Sequence, residues 1–579
     1  MNSRWAALVL LSALGCSNPG RDLSSGTPSG GAGGDGSSGA AASAGSGHAG
    51  GAGFGAAGSS AAGSSAAGTN EAGSSDAEAG AAGALASDDS LQVLSVTPGT
   101  AAATTRSSIS VSFSQPVTPD SVAGALVVTD DRGPVAGEFT VSGAVATFRP
   151  RGSLCLAQSY KVSIGTAVST LDGQHLDRAK SYQFSIPDGE WGDPQTLRAS
   201  AAYLSSPAAS VDADGNALAV WTETADNTPT TDYYDARVSS WNGAQTPPFV
   251  SSNGVPGLPL AGLRGGHGLV VFPSYGAAER TANGVWSVTA SSDLEGSIGN
   301  FSSPSLAVAD SGTALLVWND NYGSIGASSF TPASDAAHPG YWIEPTASAI
   351  GALGSAQLVH ALPDGSFMLV FAERATSSSS VSNLAAQRYV PGTGWSSEHK
   401  IAAGGATLRT AQDNFGNLVA ISDGGTPVAR YSYDSDSWTV VADIAPVAGC
   451  LLALAGDGRA FCVYFDDNVT TGSRVLVQTL VDKTWSAPAE LRNVSASISL
   501  SSLVADDCGN AQVVWLEGDP GVLYTRRFTP SGGWGPALTL GDVSIMGQAA
   551  ISGRGEMLYV YGRNGTSDDT DDVETIRFE

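Results

Sequence analysis

The 579-residue sequence predicts an all-β protein: a β-sandwich followed by a β-propeller, with a disordered tether ahead of both. Three observations carry this. From Leu91 to the C-terminus, short runs of alternating apolar and polar residues are bounded by Gly, Pro, Asp or Asn, the signature of strands and turns. From 190 onward tryptophan returns as Trp191, Trp241, Trp286, Trp342, Trp395, Trp438, Trp485 and Trp534, at intervals of 43 to 56 residues, the period of a propeller blade. Before Leu91 no alternation exists, only Gly, Ala and Ser with scattered acids.

The bulk numbers restrict function. Lys+Arg is 27 and Asp+Glu 54, a formal net charge of −27. That charge opposes binding to nucleic acid or to an anionic lipid surface. Glycine numbers 73 and charged residues make up only 14%, a balance that fits an exported β-rich chain. Five cysteines in so long a chain exclude a disulfide scaffold, and none forms a C-x-x-C pair.

Taken in order, residues 1–16 read as a targeting segment: Arg4, then the apolar run Trp5–Leu14. The run has signal-peptide length and is too short to span a bilayer, which takes about 20 residues. The junction Ser12-Ala13-Leu14-Gly15-Cys16 resembles the bacterial lipoprotein box, with Ala13 where Leu is usual. The resemblance implies lipidation of Cys16, and Ser17, rather than Asp, implies outer-membrane sorting. An ordinary signal peptide is the alternative. Residues 17–90 cannot bury enough apolar surface to offset their ordering entropy. They should form a flexible tether with a typical end-to-end distance of roughly 45–50 Å.

Residues 91–187 hold seven strand-like runs: LQVLSV, SISVSF, ALVVT, EFTV, VATF, YKVSI and YQFSI. Tyr160, at the start of a late strand, stands where sandwiches place a corner tyrosine. The stretch resembles the bacterial Ig-like domain of the S-layer (SbsA) type, through Val96-Thr97-Pro98-Gly99, Ser110–Val122, Phe148-Arg149-Pro150, Ser159–Ile164 and Leu171-Asp172-Gly173. That resemblance implies a spacer without catalytic residues.

Residues 190–579 read as four strands per unit, A to D from the axis outward. The A–B turn recurs as DADGN (212–216), ADSGT (309–313), LPDGS (362–366), DNFGN (413–417), AGDGR (455–459), DDCGN (506–510) and SGRGE (552–556). Strand B is apolar on both faces, as in ALAVW, ALLVW and FMLVF, which fits packing between neighbouring blades. Eight blades are expected, with seven the alternative. Trp191–Leu197 should close the ring as strand D beside the last strand C, Val573–Phe578. The units loosely resemble Asp-box (BNR), sialidase-like repeats, by their D-x-x-G turns.

Sialidase chemistry is not expected, because Arg237, Arg388, Arg430, Arg527 and Arg577 recur in one strand-C slot, which marks a structural role. The six histidines are scattered, and no H-E-x-x-H or phosphate loop occurs. Two residues beyond the apolar end of strand B stand Glu223, Asp320, Glu373, Asp423, Asp466 and Glu517. They would form a partial acidic ring at the channel mouth, either scaffold or a site for a cation, calcium being the candidate, or for a basic ligand. No other cofactor is implied. Counting from the Asp457-Gly458 turn sets Cys462 opposite Ala453, a poor register for a bridge to Cys450. Buried thiols are therefore expected, with a Cys450–Cys462 disulfide the alternative.

The leading reading is a surface lipoprotein whose monomeric propeller head binds an extracellular glycan or protein without catalysis. It would be anchored to the membrane by its N-terminal lipid. A glycan-active enzyme and a structural envelope component are the other two.

Overall fold

The tight A–B turns set the geometry of the second domain. The third residue after each turn's start is Gly215, Gly312, Gly365, Gly416, Gly458, Gly509 or Gly555, with φ between +77° and +96°. Only glycine adopts this left-handed backbone without strain. The first residue of each turn donates its N–H to the carbonyl of the last, as from Asp212 N to Asn216 O at 2.9 Å, so each turn closes a bulged hairpin. A computed structural model describes residues 90–579 apart from 100–102, 151–153, 203, 226–227, 238–259, 272–276, 290–301, 320–323, 335–337, 339, 344–352, 375–380, 406, 423–427, 443–449, 470–471, 519–520 and 565–569.

The expected sandwich is present. Strands β1 (Val93–Thr97), β2 (Ile109–Phe113), β5 (Val145–Pro150) and β4 (Gly137–Ser142) make one sheet, in the order β1-β2-β5-β4. Strands β3 (Leu126–Thr129), β6 (Ser159–Ile164) and β7 (Lys180–Ser185) make the other, in the order β3-β6-β7. One short helix, α1 (Pro119–Ala125), enters at Pro119, where a missing N–H costs nothing. Alternate residues Ile109, Val111, Phe148, Val162 and Ile164 fill the space between the sheets. Tyr160 is the corner tyrosine: its hydroxyl accepts the Cys155 N–H at 2.8 Å, and burial pushes its pKa up to about 12.

Among the described residues eight inner A strands form a ring. They are Ser205–Val211, Leu260–Arg264, Ser302–Val308, Leu353–Ala361, Leu408–Gln412, Leu451–Leu454, Ile498–Ala505 and Ile545–Ile551. Each touches the next, and the last touches the first. The propeller thus has eight blades and not seven. Strands B are buried on both faces, with Ala217–Trp221 and Phe371 fully enclosed.

The ring closes between the expected ends of the array, but the closing strand begins four residues beyond Trp191. Strand β8 (Gln195–Ala202) pairs antiparallel with Thr570–Phe578, the C strand of blade 8. Trp191 only bridges Phe578, packing its ring at 5.6 Å.

Candidate functional site

The eight A strands enclose an axial cavity of about 680 Å³. Its wall mixes small side chains such as Ala209, Gly262, Ala307 and Ala549 with larger ones, among them Arg264, His360 and Gln412. Serines tie the strands together: Ser305 Oγ accepts the Val359 N–H at 3.2 Å and Ser502 Oγ that of Ala549 at 2.9 Å. His360 lines the cavity half-buried, 2.7 Å from the Thr410 hydroxyl, and desolvation lowers its pKa to about 4, so the ring is neutral.

The A–B turns rim one mouth of this cavity. Asp413 and Asp506 spend their carboxylates inside their own turns, and Asp212 does so while its Oδ2 also accepts the Gly266 N–H of the blade 2 turn at 2.8 Å. Asp506 Oδ1 accepts the Cys508 and Asn510 N–H groups at 2.9 Å, and its Oδ2 accepts Asn510 Nδ2 at 2.7 Å. Asp212 and Asp413 repeat the arrangement with Asn216 and Asn417. Asp507 instead reaches across from blade 7 to blade 5, where its Oδ1 accepts Asn414 Nδ2 at 2.8 Å. Burial, with Asp506 and Asp413 adding repulsion, pushes Asp507 up to about 7.

The Ig-like domain stands on this same face. Cys155 forms a disulfide with Cys508. Around it, Leu156 N–H donates to Arg554 O at 3.0 Å, Asn510 Nδ2 donates to Leu156 O at 3.2 Å, and Arg132 donates to Asp507 O. Thr105 and Arg106 meet Glu556 of blade 8. Asp188 accepts from Arg527 Nε at 2.8 Å, and that guanidinium lies 4.5 Å over the Phe578 ring. Leu154, Leu156 and Tyr160 share one continuous core with Val514, Met557, Tyr559 and Phe578. The two domains are welded over blades 7 and 8, where the ring is closed.

The strand-B acids are found as follows. Glu373 accepts from Lys400 Nζ at 3.0 Å and from Asn383 Nδ2 at 2.5 Å. Asp466 pairs with Arg474. Glu517, buried, holds Arg492 through two bonds of 2.7 and 2.9 Å and takes the Trp515 indole N–H at 2.8 Å. Glu373 and Asp466 are engaged by their own blades, whereas Glu517 of blade 7 takes Arg492 from the outermost strand of blade 6, Ala489–Val494. Glu223 lies in the strand Asn216–Ala225, with its side chain outside the described residues, as are Asp320 and Asp423 altogether.

Residues 87–186 match the family of bacterial Ig-like domains. No curated protein matches the chain. Among solved structures it is similar to AofleA from Arthrobotrys oligospora, at 13% identity over 62% of this chain and 91% of that one, TM-score 0.31. It is similar too to the Aleuria aurantia lectin, described as a six-bladed β-propeller with a novel fucose recognition mode, at 12% identity over 60% of this chain and 99% of that one, TM-score 0.29. TolB from Acinetobacter baumannii aligns at 11% identity over 63% and 82%, TM-score 0.27.

Two expectations about the cysteines are corrected. Cys450 and Cys462 are bonded rather than free thiols. The observed register pairs Leu452 with Cys462 and Ala453 with Phe461, one residue off the count from the turn, because the bulged hairpin adds a residue that simple alternation omits. The Cys155–Cys508 pairing escaped sequence reasoning altogether. Its one signal was Cys508 in the middle of an A–B turn, where nothing about the hairpin needs a thiol. Of the strand-C arginines, Arg388 joins Asp364 of its own A–B turn and Asp436 at 3.0 Å, Arg527 meets Asp188, and Arg577 lies 3.3 Å from Glu579, whereas the buried Nε and Nη2 of Arg430 have no hydrogen-bond partner among the described residues.

Proposed function

We propose that this chain is a cell-surface lipoprotein whose propeller is a non-catalytic binding head, held away from the envelope by the Ig-like domain and the residues before it. The observation that carries the reading is the polarity of the domain pair. The loops bearing Thr105, Arg132, Leu156 and Asp188 meet the A–B face of the propeller. The N-terminal end of the described chain lies at the opposite pole, where Leu91 bridges Leu176 and Gln92 N–H donates to Ser114 Oγ. An anchor at Cys16 would pull from that pole and present the far face of the disc, whose B–C and D–A connections vary in length and composition, as recognition loops do. Two disulfides support an oxidising compartment.

Two measurements test the two halves. A palmitate analogue should label the protein, and Cys16→Ala should abolish the label and free it from membranes; a variant that stays membrane-bound sinks the anchor. On a glycan array the purified head should retain a defined subset of glycans unchanged. Turnover would make it a glycan-active enzyme instead, and silence would favour a protein ligand or an envelope role.

A further inference from the structure

We infer that the Ig-like domain is a clasp that carries tension from the N-terminal segment past the closing strand and into blade 7. The inference rests on the anchor reading, since an N-terminal attachment is what would bring the tension. Connectivity alone would route a pull through Ile186 and Glu190 straight into β8, the strand that shuts the ring. Its pairing with Thr570–Phe578 would be loaded first. Losing β8 would strip an edge from blade 8 and open the propeller beside it, exposing unpaired strand.

The Cys155–Cys508 bond removes β8 from that route. Cys155 precedes β6, β7 and β8 in the chain, whereas Cys508 sits in the turn between strands Ile498–Ala505 and Ala511–Glu517 of blade 7. Tension reaching Cys155 crosses the sulfurs into a blade built from one continuous stretch of chain. Everything from Leu156 to Ala202, β8 included, then hangs outside the loaded path. Contacts brace the bond on both sides: Arg132 to the backbone of Asp507, Asn510 to Leu156, and Leu156 to Arg554. Cys155 and Cys508 are 1% and 3% exposed, so the clasp is shielded from soluble reductants until load opens the junction around it. At the entrance to β8, Glu190 and Glu579 exchange backbone bonds of 2.9 and 3.2 Å, and Asp188 holds Arg527, which ties down the slack.

The test is single-molecule force spectroscopy on the mature chain, held at its N-terminal segment and at a ligation tag inserted at the exposed Gly392-Thr393 hairpin of blade 4. Forced rupture reports the unfolding barrier directly. Peptide mapping without reductant should first recover a Cys155–Cys508 cross-link; free thiols at both positions would overturn the clasp. The wild type should show no extension step attributable to β8. The double variant Cys155→Ser, Cys508→Ser should gain an early, lower-force step in which β8 and the residues before it are drawn out. Should that variant not fold, reductant applied to the wild type already under tension should produce the same step. Cys450→Ser with Cys462→Ser, within blade 6, should not. Identical first ruptures with and without the Cys155–Cys508 bond would show that it carries no load. If the early step appears while Cys16→Ala fails to release the protein from membranes, the anchor reading falls and the clasp stands.

Discussion

At the residue scale, the turn of blade 7 concentrates the unusual chemistry. Asp506 and Asp507 are adjacent, and burial pushes them up to about 6 and about 7. Asp507 is faced by Asn414, Asp413 and Arg132 as well as by Asp506. An unfolded aspartate titrates near about 3.9, so the folded protein holds these protons more tightly than the unfolded chain. The resulting stability is complete below the unfolded value and is lost as pH rises through about 6 to about 7. Thermal melts should therefore show a decline from pH 5 to pH 8. Asp507→Asn should flatten it by about 1–3 kcal/mol, allowing for partial exposure of the carboxyl, with Asp506 leaving a residual slope. An Asn variant with the wild-type profile would remove Asp507 as the cause. Glu517 makes the opposite case, a carboxylate with all its partners in hand. Glu517→Ala should cost about 2–4 kcal/mol, by orphaning Arg492 and the Trp515 indole. Calcium titrated onto the wild-type head and the variant should give the same heat; a heat lost with Glu517 would mark a cation site.

At the scale of the element, β8 is the piece on which ring closure depends. It borrows its sheet from Thr570–Phe578 at the other end of the chain, so its contacts are as non-local as this fold allows. Replacing Gln195–Ala202 by a Gly/Ser linker of equal length should leave blade 8 with a bare edge. Size-exclusion chromatography should then show association, and the melt should drop sharply. A monomeric variant melting like the parent would mean that the ring does not need β8.

For the whole molecule, the shared core between Ig-like domain and propeller matters more than either domain alone. Leu156 and Tyr160 belong to the same buried cluster as Met557 and Phe578, so the two should melt together in one calorimetric transition. Removing the Cys155–Cys508 bond, which joins residues 353 apart, should lower that transition. In the chain-entropy model a loop this long is worth about 6 kcal/mol. Two separated transitions in the wild type would show that the junction is weaker than its contacts imply.

What the sequence determined by itself was everything with a period. The seven sandwich strands, the Trp interval, the D-x-x-G turns and the doubly buried B strands were readable because side-chain alternation and turn glycines are local requirements of the backbone. The closing strand was legible for a related reason: one unpaired D strand at the start of a repeat array must meet the unpaired C strand at its end. Tertiary structure alone decided what had no period. Cys155 meets Cys508, Asp507 reaches Asn414, and the Ig-like domain settles on the seam between blades 7 and 8. These contacts join residues far apart in the chain, by way of loops whose direction is set only when the blades have packed. Even the Cys450–Cys462 register turned on a single residue of hairpin bulge, a shift that reverses which face each side chain occupies.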